Sequence, residues 1–454
     1  MVPVDFIFVQ HMPLTTSGKI NRLLLQEAAG HALLDDQKRN IDTSDLNGNQ
    51  TPTTQNQRIL IQSWAKALGI KSESIMRNDC FFRRGGDSIA AIKMAASLRQ
   101  QELIISVSDI FKFSTFSDMA SVLVKDHRPL QTAMLAPFSL IDNSQTVLDA
   151  VMEELGTGID QIEDVYPCTH MQQGLIALTA QQPHSYIGRY TWQLAEMLDV
   201  EKFKNAWESA WLHNPILRTR IVQIPDGVFQ VVVKTDMPWN TVTDISRGGD
   251  GKELREIDIS NGPLIQFYLS KESFRLDIHH SLFDEWSLGL IMGQVERAYA
   301  GGGLRMQPFS PFVQHLLHER DTSLEDFWRQ EFSGLQAEHF PAIASRPLSV
   351  EHPTEKVVLE HSVQLETGFS TKYTISSIVR LAWAIVLWHQ TGSEDVVFGA
   401  TVSGRNANID GIDQLSGPTL ATLPVRIKLA TSQPIHEGLS QVQGQFVNMM
   451  VHEQ

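Results

Sequence analysis

The sequence predicts two kinds of folded unit in one chain: a small all-helical bundle, followed by a larger part in which strands alternate with helices. Two observations carry this expectation. Between residues 54 and 126, Leu60, Trp64 and Leu68 recur at a spacing of four, as one face of a helix requires. Beyond residue 145 the pattern changes to alternating strands and helices, which favours an α/β or α+β architecture. The length of 454 residues leaves room for about two to four domains.

Residues 1–29 open with an alternating run, Phe6 and Phe8 against Ile7 and Val9, then a turn and a short helix. A piece this small cannot bury its own core. Residues 30–53 are rich in Asp, Asn, Thr and Gln and read as a linker. Residues 54–126 read as a bundle of about four helices. The first carries Leu60, Trp64 and Leu68; the second follows Asp87, with Ile89, Ile92 and Ala96 on one side. SVSDIFKFSTFSDMASVLV then offers two short helices behind Ser or Asp caps.

A connection follows at 127–136, and residues 137–454 form the larger part. IGRYTWQLAEML and VFQVVVK read as strands, EKFKNAWESAWLHN as a helix, and FRLDIHH as a strand running into a loop. SLGLIMGQVERAYAGGG is a helix closed by glycines. TISSIVRLAWAIVLWHQTG is an apolar helix, EDVVFGATVSG a buried strand, and QVQGQFVNMMVHEQ an amphipathic helix. No repeat of fixed short period and no low-complexity tract occurs.

The composition narrows the function classes. A net charge of −15 argues against general binding to nucleic acid or an anionic membrane. Cys80 and Cys168 are too few for a disulfide framework or a thiolate zinc site. No signal peptide opens the chain, and no apolar run approaches the roughly 20 residues of a spanning helix. A cytoplasmic setting is the default expectation.

Three short stretches carry chemistry. The first is GGDSIAAIKM at 85–94. Its glycines allow a tight turn, Asp87 can cap the following helix, and Ser88 sits among free backbone N–H groups that favour an attached phosphate. A plain cap is the bland alternative; a nucleophile elbow would need G-x-S-x-G, whereas Ile89 and Ala90 follow the serine. Over its full length, DCFFRRGGDSIAAIK at 79–93 resembles the phosphopantetheine-attachment motif of carrier domains in nonribosomal peptide synthetases. The resemblance spans 54–126 and implies phosphopantetheine on Ser88, beside Asp87, placed there by a phosphopantetheinyl transferase.

The second is PLTTSGKINR at 13–22. A phosphate loop would need Gly where Pro13 stands. The stretch resembles the end of an adenylation domain, which implies that Lys19 matches the lysine contacting the acyl-adenylate. On that resemblance residues 1–29 are an adenylation tail, and the nucleotide site would lie upstream.

The third is HHSLFDEWS at 279–287. Extrapolating strand parity puts Phe274, Leu276, Ile278 and His280 on one, buried, face and Arg275, Asp277 and His279 on the other. His280 is then a base or hydrogen-bond partner, or simply a satisfied core histidine. Adjacent histidines point apart, which disfavours a metal site, and none is expected. H-H-x-x-x-D is also similar to the active-site pattern of condensation domains in the same synthetases. Supporting stretches follow in order: VYPCTHMQQGLIAL at 165–178, NPILRTR at 214–220, DVVFGATVSGR at 395–405 and GPTLATLPVRI at 417–427.

By position, that resemblance implies that His280 is catalytic and His279 its structural neighbour. It implies that Asp284 holds the loop, with Arg218 as its salt-bridge partner. The usual Gly after the Asp is Glu285 here. The implied fold is two chloramphenicol-acetyltransferase-like lobes, 137–340 and an incomplete 341–454, in a chain truncated at both ends. The implied activity joins a carrier-bound aminoacyl or peptidyl thioester to an amine, with an adenylation core upstream and further synthetase domains downstream. Alternatives are a non-catalytic carrier fragment, an epimerisation domain and a terminal cyclising condensation domain.

Overall fold

The computed structural model describes residues 54–125, 135–142, 144–243, 245, 257–304, 307–318, 322–340, 359–362, 373–407, 409–430 and 432–453. Lys19, the adenylation-like tail and the whole 30–53 linker lie outside the described residues. The chain divides into two compact units, 1–126 with 343–379, and 127–342 with 380–454.

The helical bundle consists of α1 Gln55–Leu68, α2 Ser88–Arg99, α3 Val107–Lys112 and α4 Phe116–Val122. Each start follows from a side chain that satisfies an orphan N–H. Thr54 and Gln57 form a reciprocal capping box at α1. Asp87 accepts from Ala90 N at α2, Ser106 from Asp109 N at α3 and Thr115 from Asp118 N at α4. The fully buried Trp64 anchors the core, with Phe81 edge-on at 5.2 Å and Phe116 at 5.8 Å between ring centroids. Ile92 and Ala96 are buried as expected, but Ile89 is exposed. Small residues at 90, 91, 95 and 96 let α2 bury most of its circumference, and Ile89 falls on what remains. Short strands β1 Leu103–Ile104 and β2 Val124–Lys125 pair antiparallel.

In the second unit come α5 Ser144–Leu155, β3 Ile162–Pro167, α6 His170–Gln181, β4 Ile187–Gln193, α7 Val200–His213, β5 Thr219–Ile224, β6 Gly227–Val233 and β7 Trp239–Thr241. They are followed by β8 Ile265–Leu269, β9 Ser273–His279, α8 Glu285–Tyr299, α9 Ser310–His318 and α10 Thr322–Glu331. The last elements are α11 Ile375–Thr391, which belongs to this unit from Arg380 on, β10 Asp395–Val402, β11 Ala421–Lys428 and α12 Ile435–Met449. One sheet has the order β3-β6-β5 and a second β4-β9-β8-β7, antiparallel except for the parallel β7–β8 pair. β10 and β11 form an antiparallel ribbon.

The central core joins Trp207 and Trp211 of α7 to Phe267 and Phe274 of the second sheet, with ring centroids 5.3 to 5.8 Å apart. Leu276, Ile278, Leu282 and Phe283 continue it to the end of β9. β6 is buried along Phe229–Val233, which is why VFQVVVK reads as a near-continuous apolar run. The one polar side chain in that buried stretch, Gln230, has a role described below.

Candidate functional site

At the head of α2 the chain turns sharply. Gly85 has φ +96, which L side chains rarely adopt, and a Cβ on Gly86 would lie 2.7 Å from the Phe81 carbonyl oxygen and closer still to its ring. The turn leaves Asp87 extended, with its carboxylate 2.7 Å from Ala90 N. Ser88 is then the first helical residue, half-buried, and its hydroxyl makes no hydrogen bond with any described residue. An uncommitted hydroxyl at the positive end of a 12-residue helix fits a phosphate ester, whose charge the unpaired N–H groups stabilise.

In the other unit, β9 delivers two adjacent histidines to opposite fates. Strand parity misplaces them: His279 is fully buried, and His280 is half-buried. The reason is that β9 stops at His279, so the alternation does not extend to His280. Both faces are also covered at this end, since Asp277 and His279 are buried alongside Leu276 and Ile278. The His280 amide donates to Tyr186 O at 2.8 Å. Its ring stacks on Phe283 with centroids 4.7 Å apart, and Nδ1 lies 2.9 Å from Phe283 O. A carbonyl only accepts, so Nδ1 carries the proton and Nε2 keeps a lone pair in the neutral ring.

Asp284 ends this loop and caps α8, accepting from Ser287 N at 2.7 Å while Ser287 Oγ accepts from Asp284 N at 2.9 Å. Its ion-pair partner is Arg405, whose Nη2 lies 3.1 and 3.3 Å from the two carboxylate oxygens. Thr419 adds its backbone N–H at 3.0 Å. Arg405 is enclosed and donates further to the carbonyls of Ile412, Leu415 and Gly417. Burial pulls its guanidinium down and the Asp284 charge pulls it back up.

Arg218, expected to pair with Asp284, instead forms an ion pair with Glu163 and donates to Trp211 O and Leu212 O. It lies in a short helical turn directly after α7, and its guanidinium closes the end of that helix. The residue sequence reasoning missed, Arg405, stands at the end of DVVFGATVSGR. Gln172, also missed, lies in VYPCTHMQQGLIAL and is fully buried.

Glu285, in place of glycine, is exposed in the first turn of α8, where its charge complements the helix dipole. Burial first, and the Glu285 charge second, push the hydroxyl of Tyr190 up. A cleft of about 640 Å³ borders this network through Thr419, with Cys168, His170, Phe312, Leu316 and Glu453 among its walls, but does not include His280. Burial pushes the Cys168 thiol far up, which makes it a poor nucleophile. Among the described residues no group of three or more His, Cys, Asp or Glu is arranged to hold a metal ion, and no helix is long and apolar enough to cross a membrane.

Residues 162–454 match the family described as Condensation domain, and residues 58–123 match the family described as Phosphopantetheine attachment site. The chain belongs to the condensation-domain family and joins that domain to a phosphopantetheine carrier, the pairing of nonribosomal peptide synthetases. Two of its relatives are fungal synthetases. It is 35% identical over 468 residues to the nonribosomal peptide synthetase notE' of Aspergillus versicolor, and 35% identical over 469 residues to the nonribosomal peptide synthetase dtxS1 of Metarhizium robertsii. Each match takes in 100% of this chain but only 20% and 6% of those proteins.

Two solved structures share the fold. One, described as the crystal structure of CT, has a TM-score of 0.54 at 21% identity, covering 70% of this chain and 75% of that one. The other, holo-AB3403, a four-domain nonribosomal peptide synthetase bound to AMP and glycine, has a TM-score of 0.52 at 18% identity, covering 64% and 24%. The carrier family implies phosphopantetheine held covalently on a serine, a phosphopantetheinyl transferase to attach it, and thioester substrates.

Proposed function

We propose that residues 54–126 tether an aminoacyl or peptidyl group through phosphopantetheine on Ser88, and that residues 137–454 join such a thioester to an amine. When bound, the phosphopantetheine supplies a thiol that holds the acyl group as a reactive thioester on a flexible arm. The observation carrying the condensation reading is His280: a half-buried ring whose Nδ1 is committed to Phe283 O, leaving Nε2 to accept a proton. His280 holds or takes the proton of the amine as the amine nitrogen bonds to the thioester carbonyl carbon; the C–S bond breaks and the departing sulfur leaves as a thiol once that proton reaches it. Asp284 and Arg405 act on the loop and not on the substrate; they fix where that ring stands.

The order of the parts supports a place within a longer synthetase, with an adenylation core upstream that ends in the Lys19 stretch and further synthetase domains downstream. A cytoplasmic setting belongs to the same reading. Two measurements test it. Intact mass after incubation with coenzyme A and a phosphopantetheinyl transferase is expected to rise by one phosphopantetheine, and not to rise in Ser88→Ala. Turnover of an acyl-pantetheine thioester with an amine is expected to fall about 100-fold or more in His280→Ala; turnover surviving in that variant overturns the condensation reading.

A further inference from the structure

The second histidine of the pair is as tightly specified as the first, and nothing in the reading above uses it. His279 is fully buried, as are Ser281, Gln172 and Gln230, with Thr179 at 3% exposure. Three donors and acceptors decide where its proton sits. The backbone N–H of Ser281 points to Nδ1 at 3.2 Å, and the Ser281 hydroxyl lies 2.8 Å from the same atom. A backbone N–H can only donate, so Nδ1 is unprotonated and the proton of the neutral ring is on Nε2. Nε2 lies 2.9 Å from Thr179 Oγ1, which therefore accepts. The Thr179 hydroxyl sends its own proton to Leu175 O at 2.9 Å or Ser185 O at 3.2 Å. A second proton on His279 would face the Ser281 N–H, and burial, followed by the charge of His280, holds the ring down at about 4.

Gln172 extends the network through Ser281. Its Nε2 donates to Ser281 O at 2.9 Å and to Gln230 Oε1 at 2.8 Å, while its Oε1 accepts from Thr169 N at 3.0 Å. Gln230 passes its own proton on to Pro167 O at 3.1 Å. The backbone on both sides of His280 is thus fixed: His279 N to Leu264 O, His280 N to Tyr186 O, Ser281 N to the His279 ring, Ser281 O to Gln172.

We propose that this network locks the adjacent histidines in opposite neutral tautomers, the Ser281 N–H placing the proton of His279 on Nε2 and Phe283 O that of His280 on Nδ1, and that Thr179, which accepts from His279 Nε2, and Gln172, which holds Ser281 O, are positioning residues that keep the network in register. Only His280 then presents an unprotonated nitrogen outside the buried network, and the ring beside it cannot compete for the substrate proton. The catalytic half of this statement rests on the condensation reading; the tautomer half does not.

The test is long-range ¹H–¹⁵N NMR of the full chain labelled at histidine nitrogens, with His279→Gln and His280→Gln used for assignment. At neutral pH the wild type is expected to show Nε2–H for His279 and Nδ1–H for His280. Nδ1–H on His279, or a cationic His279, overturns the proposal. Thr179→Val and Gln172→Leu are expected to lower turnover of acyl-pantetheine with an amine about 10- to 100-fold at nearly unchanged KM, with altered tautomer populations. Thr179→Ser keeps the acceptor oxygen and is expected to restore both within about 2-fold. Unchanged tautomers and turnover in Thr179→Val overturn the positioning role even where the wild-type spectrum is as expected. If the wild type shows the two tautomers but no turnover, the lock stands and the condensation reading falls; where Thr179→Val does not fold, the wild-type spectrum and the serine variant decide.

Discussion

Ser88 and His280 are the two side chains to which the proposed function assigns the tether and the proton transfer, and the structure builds their surroundings in opposite ways. Ser88 sits in a turn held by bonds that span five residues or fewer: Gly86 N to Phe81 O, Gly85 N to Phe82 O, Asp87 to Ala90 N. Its hydroxyl is uncommitted. His280 sits in a loop cross-linked to residues far away in the chain, Gln172 at a separation of 109 from Ser281, and Arg405 and Thr419 at 121 and 135 from Asp284. A residue that an outside enzyme must reach needs a stable turn and open access. A residue that must hold a proton in one place needs its backbone pinned from several directions.

The sharpest way to break this contrast is at the buried pair. Arg405→Ala leaves the Asp284 carboxylate with the N–H groups of Ser287 and Thr419 but no counter-charge, and is expected to cost about 3–5 kcal/mol in denaturant unfolding. Glu163→Gln breaks the ion pair with Arg218, in which the Glu163 side chain is 38% exposed, and is expected to cost about 1 kcal/mol or less. Equal costs for the two variants would mean that enclosing both partners adds nothing to the Arg405 pair over one in which only Arg218 is buried.

The same contrast explains what the sequence made legible. The carrier turn could be read residue by residue, because the bonds that close it at Gly85, Gly86 and Asp87 are local, although Phe81 beneath it is also tied to Ser114. The apolar strand that ends in the His-His-x-x-x-Asp stretch was correctly placed. The partners of Asp284 were not. Arg218 and Arg405 both lie in recognisable stretches, and only the fold brings Arg405 to Asp284 while Arg218 turns to Glu163. Parity misassigned the histidines because it assumes a strand that continues and one covered face, and β9 offers neither at its end. Gln172 and Gln230 read as ordinary polar residues until burial shows that they must be paired.

A second prediction uses pH to single out the buried half of the comparison. With the folded-state value of His279 near 4, below its ordinary 6.5, the unfolded chain binds a proton between those values that the folded chain refuses. The contribution of His279 is therefore complete above pH about 6.5, falls as the pH drops, and is fully lost below about 4, a total of about 3 kcal/mol. Urea unfolding across this range is expected to show that slope, reduced by that amount in His279→Gln. A slope just as steep in the variant would assign it to other groups.

The carrier turn is tested at lower cost. Gly86→Ala forces a methyl group against the Phe81 ring and carbonyl, and Phe81 packs on Trp64 in the bundle core. Overpacking of this kind costs about 1–3 kcal/mol. The loss is expected in hydrogen exchange of α1 and α2 amides, with the exchange of β9 and α8 unchanged. Asp87→Ala removes only the cap bond to Ala90 and is expected to cost about 1 kcal/mol, confined to the first turn of α2.

The smallest effect on stability is expected at the residue with the largest consequence. Asp87, not Ser88, caps α2, and the Ser88 hydroxyl bonds to no described residue, so Ser88→Ala loses no hydrogen bond. Its unfolding free energy is expected to stay within about 0.5 kcal/mol of wild type, while the gain in mass with coenzyme A and a transferase disappears. A clear loss of stability would mean that the hydroxyl does structural work and that the turn is built around the serine. An unchanged fold with no modification would mean that the turn exists to present it.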